Sequence, residues 1–84
     1  MEKVVYVGMS ADIIHKGHIN LLNEAAKYGK VVVGLLTDEA IESYKREPII
    51  NYDNRYIVIS NLKMVDTAIK QHTKYWGDNI RLIK

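Results

Sequence analysis

Eighty-four residues suffice for one domain with one small core, and 48% hydrophobic with 26% charged residues excludes the disordered and membrane classes. The formal net charge of +2 is slight, and its cations are spread along the chain, which argues against general nucleic-acid binding. Without cysteine there is neither a disulfide framework nor thiolate chemistry, as suits a reducing, cytoplasmic setting. The apolar runs are too short to span a bilayer, and the first residues lead into a strand pattern rather than a signal peptide.

Val4 to Val7 is a β-branched and aromatic run without polar alternation, as expected of a strand buried on both faces of a parallel sheet, and it ends at Gly8. The small and polar stretch Met9-Ser10-Ala11-Asp12 follows. The segment His15-Lys16-Gly17-His18 then opens a helix predicted through Tyr28, with Ile19, Leu22, Ala25 and Ala26 at helical spacing and Gly29 at the position that ends it. Val31 to Leu36 is a second buried strand, joined by a right-handed crossover. Thr37 is placed to cap a short helix through Tyr44, and the basic Lys45-Arg46-Glu47-Pro48 breaks it. A further helix is predicted from Tyr52 to Asn61 with Tyr56, Ile57, Ile59 and Leu62 on one side. Met64 to Ile69 is read as a third strand, and Trp76 to Ile83 as a weaker helix. Strands alternating with helices give an α/β fold with a parallel sheet, at least half of a Rossmann-like unit.

Ligands of such sheets bind beyond the carboxyl ends of the strands, where Gly8 to His18 lies. Free amides and the dipole of the following helix make an anion site there, and Gly17 lets a phosphate approach the backbone. His15 and His18 are three apart, hence neighbours on the first turn, where both can donate to phosphate oxygens. Two other roles compete: solvated or capping histidines, and metal ligands. The second lacks partners, since only His72 remains elsewhere and zinc needs three or four ligands.

Gly8 followed by Ser10-Ala11-Asp12-Ile13-Ile14-His15-Lys16-Gly17-His18-Ile19 resembles the HxGH signature of the nucleotidyltransferase superfamily, in its cytidylyltransferase branch. The similarity continues through Leu21-Leu22, Thr37-Asp38-Glu39, Lys45-Arg46, Tyr52 to Arg55 and Lys63-Met64-Val65-Asp66. Within that branch the wording is nearest to the cytidylyltransferase modules that accompany phosphoenolpyruvate mutase in phosphonate metabolism, and next to glycerol-3-phosphate cytidylyltransferase. The resemblance implies in-line attack by a phosphate or phosphonate oxygen of a small acceptor on the α-phosphate of CTP, giving a CMP adduct and pyrophosphate, with Mg²⁺ used by the complete enzyme. On that basis His15, His18 and Lys45 are the catalytic candidates. The Gly8, Met9, Ser10, Ala11, Asp12 and Gly17 segment lines the nucleotide, and Arg55 engages substrate or supports the site. No protein-held metal is expected. Asp12 is implied to orient the motif, with a turn or cap role as the alternative, and Tyr75 and Trp76 read as small-core or lid aromatics.

The family's second half, with a Gly-Asp-Asp-Trp-like turn and an Arg-Thr-x-Gly-Ile-Ser-Thr-Thr-like segment, has no counterpart in these residues. The expectation is therefore a single incomplete domain over residues 1–84, and an alternative function as a nucleotide- or phosphate-binding or oligomerisation module without turnover. An adenylyl-transferring relative is a third reading, because HxGH does not select the base. With no fourth strand in a 3-2-1-4-5 order, Val4 to Val7 is predicted to be a free sheet edge that draws two copies into a homodimer.

Overall fold

The computed structural model describes residues 3–43, 46–72 and 80–83. In chain order these form β1 (Val4–Met9), α1 (Lys16–Ala26), β2 (Lys30–Leu36), α2 (Asp38–Glu42), α3 (Tyr52–Ser60), β3 (Thr67–Gln71) and β4 (Ile80–Ile83). They build one four-stranded sheet ordered β3-β2-β1-β4. The first three strands run parallel, with Val5 opposite Val31, Val7 opposite Val33 and Met9 opposite Leu35, and β3 adds Ala68 opposite Val33.

Those facing residues make one row that is fully or almost fully buried. Leu22 and Ala25 of α1 and Ile59 of α3 pack against it, with Val65 at its margin. Both helices fall on the same face because the chain steps β1 to β2 to β3 in one direction, and right-handed crossovers return to the same side at each step. The other face is thinner. Val4, Tyr6 and Val32 are only partly buried there and Ile69 is 44% exposed, while Leu36 at the end of β2 packs with Ala40 and Ile41 of α2.

Four sequence expectations change. The predicted helix from Trp76 to Ile83 ends instead in strand β4, which pairs antiparallel with β1 from Val4–Ile83 to Val7–Ile80; Tyr75 and Trp76 lie outside the described residues. Strand β1 is thus flanked by β2 and β4 within one chain, so the free edge on which the homodimer rested does not exist. The third strand begins later than predicted, at Thr67, because Lys63 and Met64 lie in a turn, and Asp66 holds the entry to β3: its carboxylate accepts from Val31 N at 2.9 Å while its amide donates to Val31 O at 2.9 Å. Finally, α1 stops at Ala26 with Lys27 as its cap, and Gly29 instead lets Lys3 O come close, to where a Cβ would lie 2.2 Å away.

The buried stripe of α3 also differs from the predicted one. Ile57 is 59% exposed, and the side facing the core is Tyr52, Arg55, Ile59 and Leu62, spaced three, four and three. An arginine therefore occupies a core-facing position.

Candidate nucleotide site at the start of the first helix

The carboxyl end of β1 feeds through residues 10–14 into α1. His15 is the N-cap, with extended backbone (φ −141°, ψ −179°), and His18 is the third helical residue. The two form a reciprocal capping box. Gly17 N donates to His15 Nδ1 at 3.0 Å, and His15 N donates to His18 Nδ1 at 3.3 Å. Two of the amides a helix start leaves unpaired are thereby satisfied.

This geometry also fixes the tautomer. An Nδ1 that accepts from an amide carries no proton, so in the neutral ring the proton sits on Nε2, which becomes a donor. The rings are neighbours, with centroids 4.3 Å apart and planes tilted by 56°. Capping, posed in the sequence as an alternative to phosphate handling, thus uses Nδ1 of each ring, whereas donation to a phosphate would require Nε2. At Gly17 a Cβ would lie 2.8 Å from His15 Cε1, so the smallness of this residue also serves the capping ring itself.

Gly8 lies inside β1 opposite Gly34, and Met9 and Ala11 are buried, so the nucleotide-lining expectation for this stretch rests on its backbone and on Ser10. Ala11 has φ 52°, the left-handed region that costs a residue with a Cβ about 1–2 kcal/mol. Asp12 receives two amides from the loop before α3, Ile49 N on Oδ2 and Ile50 N on Oδ1, each at 2.9 Å. Asn51 then caps α3 by accepting from Asn54 N. Lys45 lies outside the described residues.

Arg55 is 1% exposed. Its Nε donates to Ile50 O at 2.9 Å, its Nη1 to Ser10 O and Leu36 O at 2.7 Å each, and its Nη2 to Asp38 Oδ1 at 2.6 Å. A guanidinium engaged in this way is not presented to solvent, so the expected substrate contact gives way to a structural one between protein segments. Burial of a charge demands such satisfaction, and no buried side-chain nitrogen or oxygen among the described residues lacks a partner. The sequence offered one signal for this: Arg55 falls on the three-four-three stripe with Tyr52, Ile59 and Leu62.

A cleft of about 270 Å³ opens beside this cluster, lined by Thr37, Asp38, Asn51, Tyr52 and Lys70 among others. The Tyr52 hydroxyl there is held above the ordinary tyrosine range, first by burial and then by neighbouring Tyr56. No three His, Asp or Glu side chains converge among the described residues, so these residues do not by themselves form a magnesium cage. Nor is any described helix long and apolar enough to cross a membrane.

Known proteins resemble this chain in sequence and in fold. The family described as cytidylyltransferase-like matches residues 6–80. The chain is 36% identical over 88 aligned positions to FAD synthase of Methanopyrus kandleri, covering 100% of this chain and 59% of that protein. It is also 36% identical to the bifunctional protein HldE of Aliarcobacter butzleri, covering 99% of this chain and 18% of that one. Among solved structures, the lipopolysaccharide core biosynthesis protein of Thermoplasma volcanium superposes with a TM-score of 0.71 at 37% identity, over 80% of this chain and 57% of that one. The chain therefore spans little more than half the length of these relatives at most. The curated relatives named are FAD synthases and HldE proteins, which does not support the finer likeness to modules associated with phosphoenolpyruvate mutase.

Proposed function

The chain belongs to the cytidylyltransferase-like family, and from that membership we propose that it forms the HxGH half of a nucleotidyltransferase site for a nucleoside triphosphate and a small acceptor with a phosphate or phosphonate oxygen. The acceptor oxygen attacks the α-phosphorus in line, a new P–O bond forms, the α–β bridging P–O bond breaks, and pyrophosphate leaves with that electron pair. Positioning and charge stabilisation are what such a reaction asks of a protein. The Nε2 donors of His15 and His18, at the amino end of α1, face the charge that builds on the phosphate oxygens in the transition state. Lys45 adds a cation to the same oxygens, and the backbone of Gly8 to Asp12 lines the nucleotide.

The capping box carries this reading, because it commits Nδ1 of both rings to amides and leaves Nε2 as the donor. ATP is the favoured nucleotide: the name FAD synthase denotes formation of a dinucleotide that contains AMP. CTP is the second reading, carried by the loop Gly8-Met9-Ser10-Ala11-Asp12 and its likeness to cytidylyltransferases.

Titrating the full chain with ATP and CTP in parallel, while following the imidazole resonances of His15 and His18, tests the site. Saturable shifts of both rings with one nucleotide are expected. Pyrophosphate release assayed in the same samples separates turnover from binding alone. No shift with either nucleotide up to millimolar concentration would overturn the phosphate role of the motif.

A further inference from the structure

Two backbone segments and two side chains close into a ring behind the histidine motif. The Ile50 backbone is gripped on both sides of its Cα: its N–H donates to Asp12 Oδ1 at 2.9 Å and its carbonyl accepts from Arg55 Nε at 2.9 Å. The same guanidinium donates to Ser10 O at 2.7 Å. Between Ser10 and Asp12 stands Ala11, the one described non-glycine residue with positive φ. Each neighbour of the strained residue is thus tied to the same residue, Ile50, Ser10 through Arg55 and Asp12 directly.

We infer that Arg55 is a positioning residue which, through Ile50 and Asp12, locks the left-handed turn at Ala11 and so holds the histidine motif in register with the loop at 46–51. A strained conformation persists only where its surroundings over-determine it, and the ring supplies that constraint. Rotation about Ala11 would redirect the segment that delivers His15 to the head of α1. The other two bonds of Arg55 widen the effect, since Leu36 O is the end of β2 and Asp38 the start of α2. One buried cation thereby joins the carboxyl ends of β1 and β2 to the loop that follows the basic Lys45-Arg46 pair. A lysine cannot do the same, because a single ammonium has neither the planar fork nor the reach to serve four acceptors on four segments.

The inference rests on the nucleotide reading of the site, but it can be tested apart from it. Arg55→Lys and Asp12→Asn would be made in the full chain and compared with the parent by amide hydrogen exchange, imidazole resonances and titration with ATP and CTP. Asn offers one carbonyl oxygen where Asp12 serves two amides, so this milder variant keeps the test open if Arg55→Lys does not fold. Exchange at Ile49 and Ile50 should quicken by about tenfold or more in either variant, while Val5, Val7, Val31 and Val33 keep their protection. The His15 and His18 resonances should move with it, and triphosphate affinity should fall by roughly tenfold. Unchanged exchange at Ile49 and Ile50, or protection lost equally along the strands, would overturn the positioning role. If the parent binds neither nucleotide, the proposed function falls, whereas the joint response of the loop amides and imidazoles still decides whether the ring exists as described.

Discussion

The His15 imidazole occupies the space in which a side chain on Gly17 would begin: a Cβ there would stand 2.8 Å from Cε1 and 3.1 Å from Nδ1 of that ring. Gly17→Ala therefore displaces the ring and breaks its bond from Gly17 N. Losing the cap costs about 1 kcal/mol, while alanine is better than glycine inside a helix by up to about 1 kcal/mol. The two nearly cancel. Urea unfolding should show stability within about 1 kcal/mol of the parent, whereas triphosphate binding should weaken markedly and the His15 resonances should shift. A variant that binds as well as the parent with unmoved imidazole signals would refute this account of the glycine.

Arg55 and Asp38 differ in what they would cost. Arg55→Met removes four hydrogen bonds and strips three backbone carbonyls, that of Leu36 buried and the other two partly so, of a donor; a loss of at least about 3 kcal/mol is expected, enough to threaten a domain this small. The Asp38 side chain is 30% exposed, and Asp38→Asn keeps an acceptor for Nη2, so about 1 kcal/mol or less should be lost. Denaturant titration of the pair checks this. Equal losses would mean that the ion pair, not the backbone acceptors, accounts for the role of Arg55.

What the sequence reveals and conceals follows from which interactions are local. Strands β1 and β2 and the start of α1 are legible because unbroken β-branched runs and the HxGH turn carry their signals within a few residues. Thr37 is likewise readable as a cap and does accept from Ala40 N. Ile80-Arg81-Leu82-Ile83 is too short a stretch for periodicity to assign; the open side of β1, a partner more than seventy residues away, makes it a strand. Arg55 misleads for a related reason. A helical arginine ordinarily reads as surface, and its place on the stripe with Tyr52, Ile59 and Leu62 does not by itself outweigh that; the convergence of Ser10, Leu36, Asp38 and Ile50 around it shows it buried.

Tyr6 and Gly34 should be strongly coupled. The Tyr6 hydroxyl reaches across β2 to donate to Gln71 Oε1 on β3, and it passes directly over Gly34, where a Cβ would fall 1.7 Å from the hydroxyl oxygen. Gly34→Ala thus forces the ring aside and is expected to cost about 1–3 kcal/mol. In a Tyr6→Ala background most of that cost should vanish, since the obstructing ring is gone. A double-mutant cycle measures the coupling, and additive losses would show that Gly34 is needed for some other reason.

The same tyrosine sets an alkaline limit. Burial raises the pKa of Tyr6 above the ordinary tyrosine value, and burial first, then Tyr56, does so for Tyr52. For a group whose folded pKa lies above its unfolded one, the stabilising contribution is complete below the unfolded value of about 10 and is lost as pH rises through the folded value. The unfolded chain ionises first, so alkali pulls towards unfolding. With no cysteine in the sequence, no thiol titrates in that window. Stability followed by denaturant titration between about pH 9 and 11 should fall in the parent, fall less in Tyr6→Phe, and least in a Tyr6→Phe, Tyr52→Phe double variant. Because phenylalanine also removes the hydroxyl that donates to Gln71, Tyr6→Phe should start lower at neutral pH, so the slope rather than the absolute stability is diagnostic. Parallel slopes in parent and double variant would assign the alkaline loss to groups other than these two tyrosines.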